Sequence, residues 1–129
     1  MNQQYEALFT PWKIGDVEIK NRIVMCPMGG TSLFGWFEIG GCHFDKEAAK
    51  LFIERANNNV GLIIPGIAPL RDTFWGKWLW QNPKMFKELK VWMEEFHKTG
   101  AKLFVQLTAG FGRSFSIPNH MKGILKSKI

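Results

Sequence analysis

The sequence predicts an α/β chain in which three parallel strands alternate with two helices behind an N-terminal β-hairpin. Three observations predict it. Ile23-Val24-Met25-Cys26 and Val60-Gly61-Leu62-Ile63-Ile64 are continuous apolar runs, and residues 101–106 are nearly so, as expected of strands buried on both faces. Residues 45–57 and 83–98 carry apolar side chains at helical spacing. The resulting order, strand–helix–strand–helix–strand, implies a parallel sheet. The residues alone leave two architectures open, a β/α barrel and an open doubly wound sheet. Helices on one side of the sheet favour the first, and helices on both faces the second.

Taken in order, Trp12-Lys13-Ile14 and Val17-Glu18-Ile19 alternate apolar and polar around Gly15-Asp16 and predict the hairpin. The first buried strand spans 22–26 and is ended by Pro27. A glycine-rich loop follows, with Gly29, Gly30, Gly35, Gly40 and Gly41. Asp45 is the expected N-cap of the first helix, with Glu47 in its first turn and Ala48, Phe52 and Ala56 on one face. Asn57-Asn58-Asn59 marks its exit. The second strand, 60–64, is stopped by Pro65-Gly66, and residues 67–81 are expected as a loop containing Trp75, Trp78 and Trp80. Asn82-Pro83 supplies a cap and a first-turn proline for the second helix. Its stripe is Met85, Leu89, Trp92 and Phe96, widened by Phe86 and Met93, and Thr99-Gly100 closes it. The third strand spans 101–106.

The composition narrows the function classes. Hydrophobic residues at 46% against 22% charged fit a folded chain. The net charge of +6 is concentrated after residue 110, where Arg113, Lys122, Lys126 and Lys128 meet no acid. The remainder carries 13 basic and 11 acidic residues, so there is no basic face for nucleic acid. No apolar run reaches membrane-spanning length and the N-terminus lacks the regions of a signal peptide, which sets a cytoplasmic expectation. Cys26 and Cys42 form no CxxC pair, and Cys26, inside an apolar run, is expected as a buried free thiol. His43, His97 and His120 lack metal-ligand spacing. Neither a GxGxxG nor a GxxxxGK[ST] phosphate loop occurs.

In both candidate architectures ligands sit at the carboxyl ends of the strands. Those ends are Cys26-Pro27-Met28-Gly29, Ile64-Pro65-Gly66 and Gln106-Leu107-Thr108, all running into small or uncharged residues that admit a flat ligand. Gln106 is the odd residue, an amide ending an apolar strand. It offers a donor and an acceptor to the edge of a heterocycle, or else satisfies a neighbouring loop. Thr31 and Ser32 are expected to cap their own turn.

Leu8-Phe9-Thr10-Pro11, Lys13-Ile14-Gly15, Lys20-Asn21-Arg22-Ile23-Val24, Pro27-Met28, Gly61-Leu62-Ile63-Ile64, His97-Lys98-Thr99-Gly100-Ala101-Lys102 and Val105-Gln106-Leu107 together resemble the opening of the Old Yellow Enzyme family of NADH:flavin oxidoreductases, over about residues 5–115. Thr108-Ala109-Gly110-Phe111-Gly112-Arg113 stands where many members have Trp-His-x-Gly-Arg, and is similar to the 2-enoate reductase and bile-acid-inducible reductase branch. The resemblance implies the N-terminal portion of a (β/α)8 TIM barrel, about three of its eight β/α units. It implies FMN as cofactor, with Pro27, Met28 and Gly29 against the ring, Gly66 at its edge and Gln106 on its pyrimidine side. NAD(P)H and a small unsaturated substrate would be the parent's partners, and FAD and a 4Fe–4S cluster belong to the longer members of that branch. The residues that bind the substrate carbonyl, the proton donor, the phosphate-binding loops and the cluster cysteines would then lie beyond Ile129. Residues 1–129 are accordingly expected to be an incomplete N-terminal segment of an FMN-binding barrel domain, inactive and self-associating when isolated. The alternative is a non-catalytic remnant or assembly module of the same ancestry.

Overall fold

A computed structural model of the chain describes residues 3–28, 33–34, 43–69 and 82–108. A 3-10 helix, Gln3–Phe9, precedes a hairpin of β1 (Trp12–Ile14) and β2 (Val17–Ile19), paired antiparallel with Trp12 opposite Ile19. The chain continues through β3 (Val24–Met25), α1 (Lys46–Asn57), β4 (Leu62–Ile63), β5 (Ile67–Pro69), α2 (Pro83–Lys98), β6 (Lys102–Leu103) and β7 (Gln106–Thr108). The central sheet has the order β3-β4-β6, all parallel, with Val24, Leu62 and Lys102 level, and Met25, Ile63 and Leu103 level.

Both helices form where local chemistry asks for them. The Asp45 carboxylate accepts from the Glu47 and Ala48 N–H groups at 2.9 Å each, satisfying two of the donors that a helix start leaves open. The Asn82 side chain accepts from Met85 N at 3.1 Å, and Pro83 opens the first turn. At the other end of α1, Asn59 takes the left-handed conformation (φ 69°) and Val60 N–H reaches back to the Arg55 carbonyl at 3.2 Å, a Schellman closure. Gly100 takes the same place after α2, where the Thr99 hydroxyl accepts from Ala101 N at 3.1 Å.

One core holds the two helices on the same side of the sheet. Phe52, Ala49 and Ala56 of α1 meet Met85, Trp92 and Phe96 of α2 over Ile63, with Leu33, Phe34, Ala68 and Ala101 completing it. The Trp92 indole N–H donates to the Ala49 carbonyl at 3.2 Å, and its ring lies 4.9 Å from that of Phe96. Burying each such aromatic contributes about 2–3 kcal/mol relative to exposure. The shared face is consistent with a partial barrel arrangement, as the sequence expected.

Four expectations need correction. The strands at 22–26 and 60–64 are real, but only their central two residues complete the ladder. Residues 101–106 are not one strand. The ladder ends at Leu103, and Gln106–Thr108 begins a second pairing, with Ile67–Pro69, inside the stretch expected as a loop. Pro65 and Gly66 interrupt β4 and bend the chain between the two ladders, so a continuous apolar run does not give a continuous strand. Cys26 is exposed, because it stands where β3 leaves the sheet. Phe86 is exposed too, one position beyond the face that Met85 buries. The expected features at Gly29, Thr31, Ser32, Cys42 and the three tryptophans of 70–81 lie outside the described residues.

Candidate functional site

The two ends of the sheet differ in chemistry. At the amino ends stand Lys20, Asn21, Arg22, Asn58, Asn59, Thr99 and Lys102. At the carboxyl ends, none of residues 26–28, 64–69 and 104–108 carries a charge. This uncharged rim is the candidate site.

Its geometry follows from the two parallel ladders. Ile64 N–H donates to the Met25 carbonyl at 3.0 Å, and Phe104 N–H to the Ile63 carbonyl at 3.0 Å, so the three strand ends leave the sheet at one level. Pro27 and Met28 continue from β3. Pro27 is half-buried and Met28 is 52% exposed. From β4 the chain passes through buried Pro65 and buried Gly66 into β5. Gly66 holds φ at 38°, in the left-handed region that a side chain disfavours. Opposite Ile67, one residue on, stands Gln106, exposed at the start of β7, with Leu107 58% exposed beside it.

The structure therefore brings Pro27, Met28, Gly66 and Gln106 to the same end of the sheet, while Gly29 lies outside the described residues. It also alters the reason for Gln106. The sequence suggested an amide enclosed by apolar neighbours and forced to find partners; in the structure it is exposed on the rim. The rim has the chemistry that a flat flavin ring needs. Met28 presents exposed apolar surface. One amide supplies both a donor and an acceptor for its polar edge, and a glycine backbone without Cβ allows close approach. Among the described rim residues there is no cation for the phosphate end of FMN. On chemistry, then, these residues fit the ring part of the cofactor that the resemblance implies.

Two residues that the sequence reading passed over organise the opposite end. The Lys20 ammonium donates to the Thr99 carbonyl at 2.9 Å and the Ala56 carbonyl at 3.3 Å, holding the carboxyl ends of both helices with one charge. Burial lowers its pKa from the ordinary lysine value. Asn21 is 4% exposed and is the one buried polar or charged residue among those described. A usable signal was present, since both directly precede an apolar strand and lie in the Lys-Asn-Arg motif. Their partners, however, are 36 to 79 residues away.

Comparison with known proteins agrees with this geometry. The family described as NADH:flavin oxidoreductase / NADH oxidase matches residues 7–121. A cinnamate reductase of Clostridium sporogenes is 39% identical over 126 residues, covering 92% of this chain and 18% of that protein. An NADPH dehydrogenase of Bacillus velezensis is 36% identical over 102 residues, covering 79% of this chain and 27% of the relative. The Old Yellow Enzyme from Pichia sp. superposes with a TM-score of 0.55 at 25% identity, over 78% of this chain and 26% of that structure. A variant of NCR from Zymomonas mobilis, at 24% identity, shares the fold with a TM-score of 0.59 over 83% of this chain and 33% of its own. The chain thus spans between 18% and 33% of the length of these proteins. Across nearly all of its own length, sequence and backbone agree, and the chain belongs to the NADH:flavin oxidoreductase / NADH oxidase family, to which the Old Yellow Enzymes are similar.

Proposed function

We propose that this chain is the N-terminal segment of an FMN-dependent oxidoreductase that passes hydride from NAD(P)H through FMN to an activated C=C bond of the enoate or enone type. The observation that supports the reading is the uncharged carboxyl end of the sheet, to which Pro27, Met28, Gly66 and Gln106 all belong. Membership of the family supports it. The relative named cinnamate reductase supports an unsaturated carboxylate as the substrate class.

Bound FMN would supply the two-electron carrier between nicotinamide and substrate. The chain's own residues orient it. Pro27 and Met28 would form a wall against one part of the ring. The Gly66 backbone approaches its edge. The Gln106 amide donates to and accepts from the pyrimidine side, fixing the ring's rotation in its plane. Met28 would exclude water from the ring face, which strengthens those polar contacts. Groups that bind the substrate carbonyl, and the proton donor, come from the remainder of the parent. So do the FAD and the iron–sulfur cluster of the 2-enoate reductase branch. The parent acts in the cytoplasm.

The test is flavin titration of the folded full-length apoprotein and its Gln106→Leu variant. Losing both hydrogen-bonding functions should weaken FMN binding about tenfold or more and shift the flavin potential. Equal dissociation constants overturn the Gln106 assignment. A full-length protein that takes up no flavin overturns the enzyme reading and favours the non-catalytic module. Reoxidation of the reduced flavin by cinnamate, but not by its saturated analogue, is the expected substrate result.

A further inference from the structure

A strand apolar on both faces does not determine its own register. Where one face is apolar and the other polar, a one-residue slip turns the wrong side to the core and is penalised. Ile23-Val24-Met25-Cys26 and Leu62-Ile63-Ile64 offer apolar side chains to both faces, so a slip between β3 and β4 exchanges one apolar set for another. The ladder itself is only two residues long. Something else must hold these strands in place, because the two rim segments that would meet the flavin continue directly from them.

The group placed to do so is the buried Asn21 amide. Its Oδ1 accepts from Ile23 N at 3.0 Å, and its Nδ2 donates to the Asn59 carbonyl at 2.7 Å. Its backbone carbonyl accepts from the Trp12 indole at 2.7 Å. One side chain therefore ties the first residue of the β3 run to the turn that launches β4. Just beyond it, the Ile23 carbonyl accepts from Gly61 N at 3.0 Å and Leu62 N at 3.3 Å. Gly61 leaves the room for it. A Cβ there would strike the Asn21 Oδ1 and stand 3.0 Å from its Cγ and from its backbone oxygen. No side-chain polar atom buried among the described residues is left without a partner. The Ile23 bond is local and moves with Asn21, whereas a slip of one residue between β3 and β4 would carry the Asn59 carbonyl away from Nδ2 and leave a buried donor unpaired.

We infer that Asn21, with Gly61 as its receptor, is a positioning residue that sets the β3–β4 register and thereby where the Pro27-Met28 and Pro65-Gly66 segments leave the flavin end of the sheet. It is the sheet counterpart of the single buried asparagine that fixes register in a coiled coil. The ladder runs from Val24 opposite Leu62 to Met25 opposite Ile63, and both segments leave the sheet just beyond it. A slip of one residue would move the start of one segment by a residue relative to the other. The flavin part of this inference rests on the proposed FMN reading, and the register part does not.

The experiment uses the full-length protein, with Asn21→Leu, Gly61→Ala, Asn21→Ala and the Asn21→Ala/Gly61→Ala pair. Two quantities are read well below the unfolding temperature: the FMN dissociation constant, and the Val24–Leu62 pairing in crystal structures. Asn21→Leu and Gly61→Ala should each weaken FMN binding about tenfold and lose that pairing. Adding Gly61→Ala to Asn21→Ala should cost far less than Gly61→Ala alone, since the side-chain oxygen and carbon the new methyl strikes are gone and only the approach to the backbone oxygen at 3.0 Å remains. A purely stabilising role would lower the melting temperature and move neither reading. Folded variants that keep the wild-type FMN constant, or keep Val24 opposite Leu62, overturn the assignment. If Asn21→Leu does not fold, Gly61→Ala decides by the same two readings. If the wild-type protein takes up no FMN, the oxidoreductase reading fails alone, and the pairing still decides the register.

Discussion

At the scale of single residues, Lys20 shows how one charge serves two elements. The last carbonyls of a helix have no partner within it, and their dipoles favour a cation. Lys20 reaches those of α1 and α2 together. Lys20→Met keeps most of the stem and removes both hydrogen bonds to the helix-end carbonyls, and should destabilise the chain by about 1–2 kcal/mol in denaturant unfolding. The pH dependence has a definite sign. Burial holds the folded-state pKa below the ordinary 10.5, so the unfolded chain binds this proton more tightly. Stability from this group is therefore lowest when both states are charged, and it rises as pH climbs from the folded value towards 10.5. Unfolding free energies of wild type and Lys20→Met, compared across that alkaline window, should diverge in favour of wild type. A narrowing gap would contradict the sign. Gln106 belongs to the same scale: the sequence singled it out correctly as a rim residue, but its exposure could not be read from an apolar run whose pairing changes midway.

At the scale of elements, the helices were legible and the strand limits were not. A helix is closed by bonds between neighbours in sequence, so Asp45, Asn82-Pro83 and the stripe of Met85, Trp92 and Phe96 announce it locally. Both caps are testable. Asp45 accepts from the Glu47 and Ala48 N–H groups, and Asn82 accepts from Met85 N. Asp45→Ala and Asn82→Ala should each cost about 0.5–2 kcal/mol, by denaturant unfolding of each variant. Trp92 joins the helices through its ring and its N–H. Trp92→Ala should cost about 3–5 kcal/mol from the cavity it leaves. Trp92→Phe should cost about 1 kcal/mol, because the Ala49 carbonyl stays within the helix ladder. Equal losses for the two Trp92 variants would show that the indole N–H, and not the packed volume, carries the contact. Where a strand begins and ends depends on a neighbour 38 or more residues away, which explains why 101–106 divides into β6 and β7.

At the scale of the whole molecule, the described residues form a one-sided structure. The helices cover one face of β3-β4-β6, and that sheet ends at β3 on one side and β6 on the other. Met28, Val105 and Leu107 are exposed on the rim, and Leu8, Phe9, Ile14 and Val17 on the N-terminal hairpin region. Open strand edges and exposed apolar side chains favour association. Sedimentation of the isolated 129-residue chain should therefore show oligomers that dissociate on dilution, and Leu107→Lys, on the exposed rim, should shift the distribution towards monomer. A concentration-independent monomer for the unmodified chain would contradict this.

By itself the sequence determined the fold class, the succession of the hairpin, the three strands of the central sheet and the two helices with their caps, the uncharged character of the strand ends and, through its motifs, the family. These rest on near neighbours or on composition, and both are written along the chain. Only the tertiary structure decided that both helices share one face, that Ile67–Pro69 pairs with Gln106–Thr108, that Cys26 is exposed, and that Lys20 and Asn21 hold distant segments together. Each of these depends on which groups meet across long separations. A polar side chain such as Asn21 looks the same in sequence whether it faces water or forms the buried joint between two strands; what distinguishes the cases is the Asn59 carbonyl and the missing Cβ of Gly61, brought to it only when the chain folds.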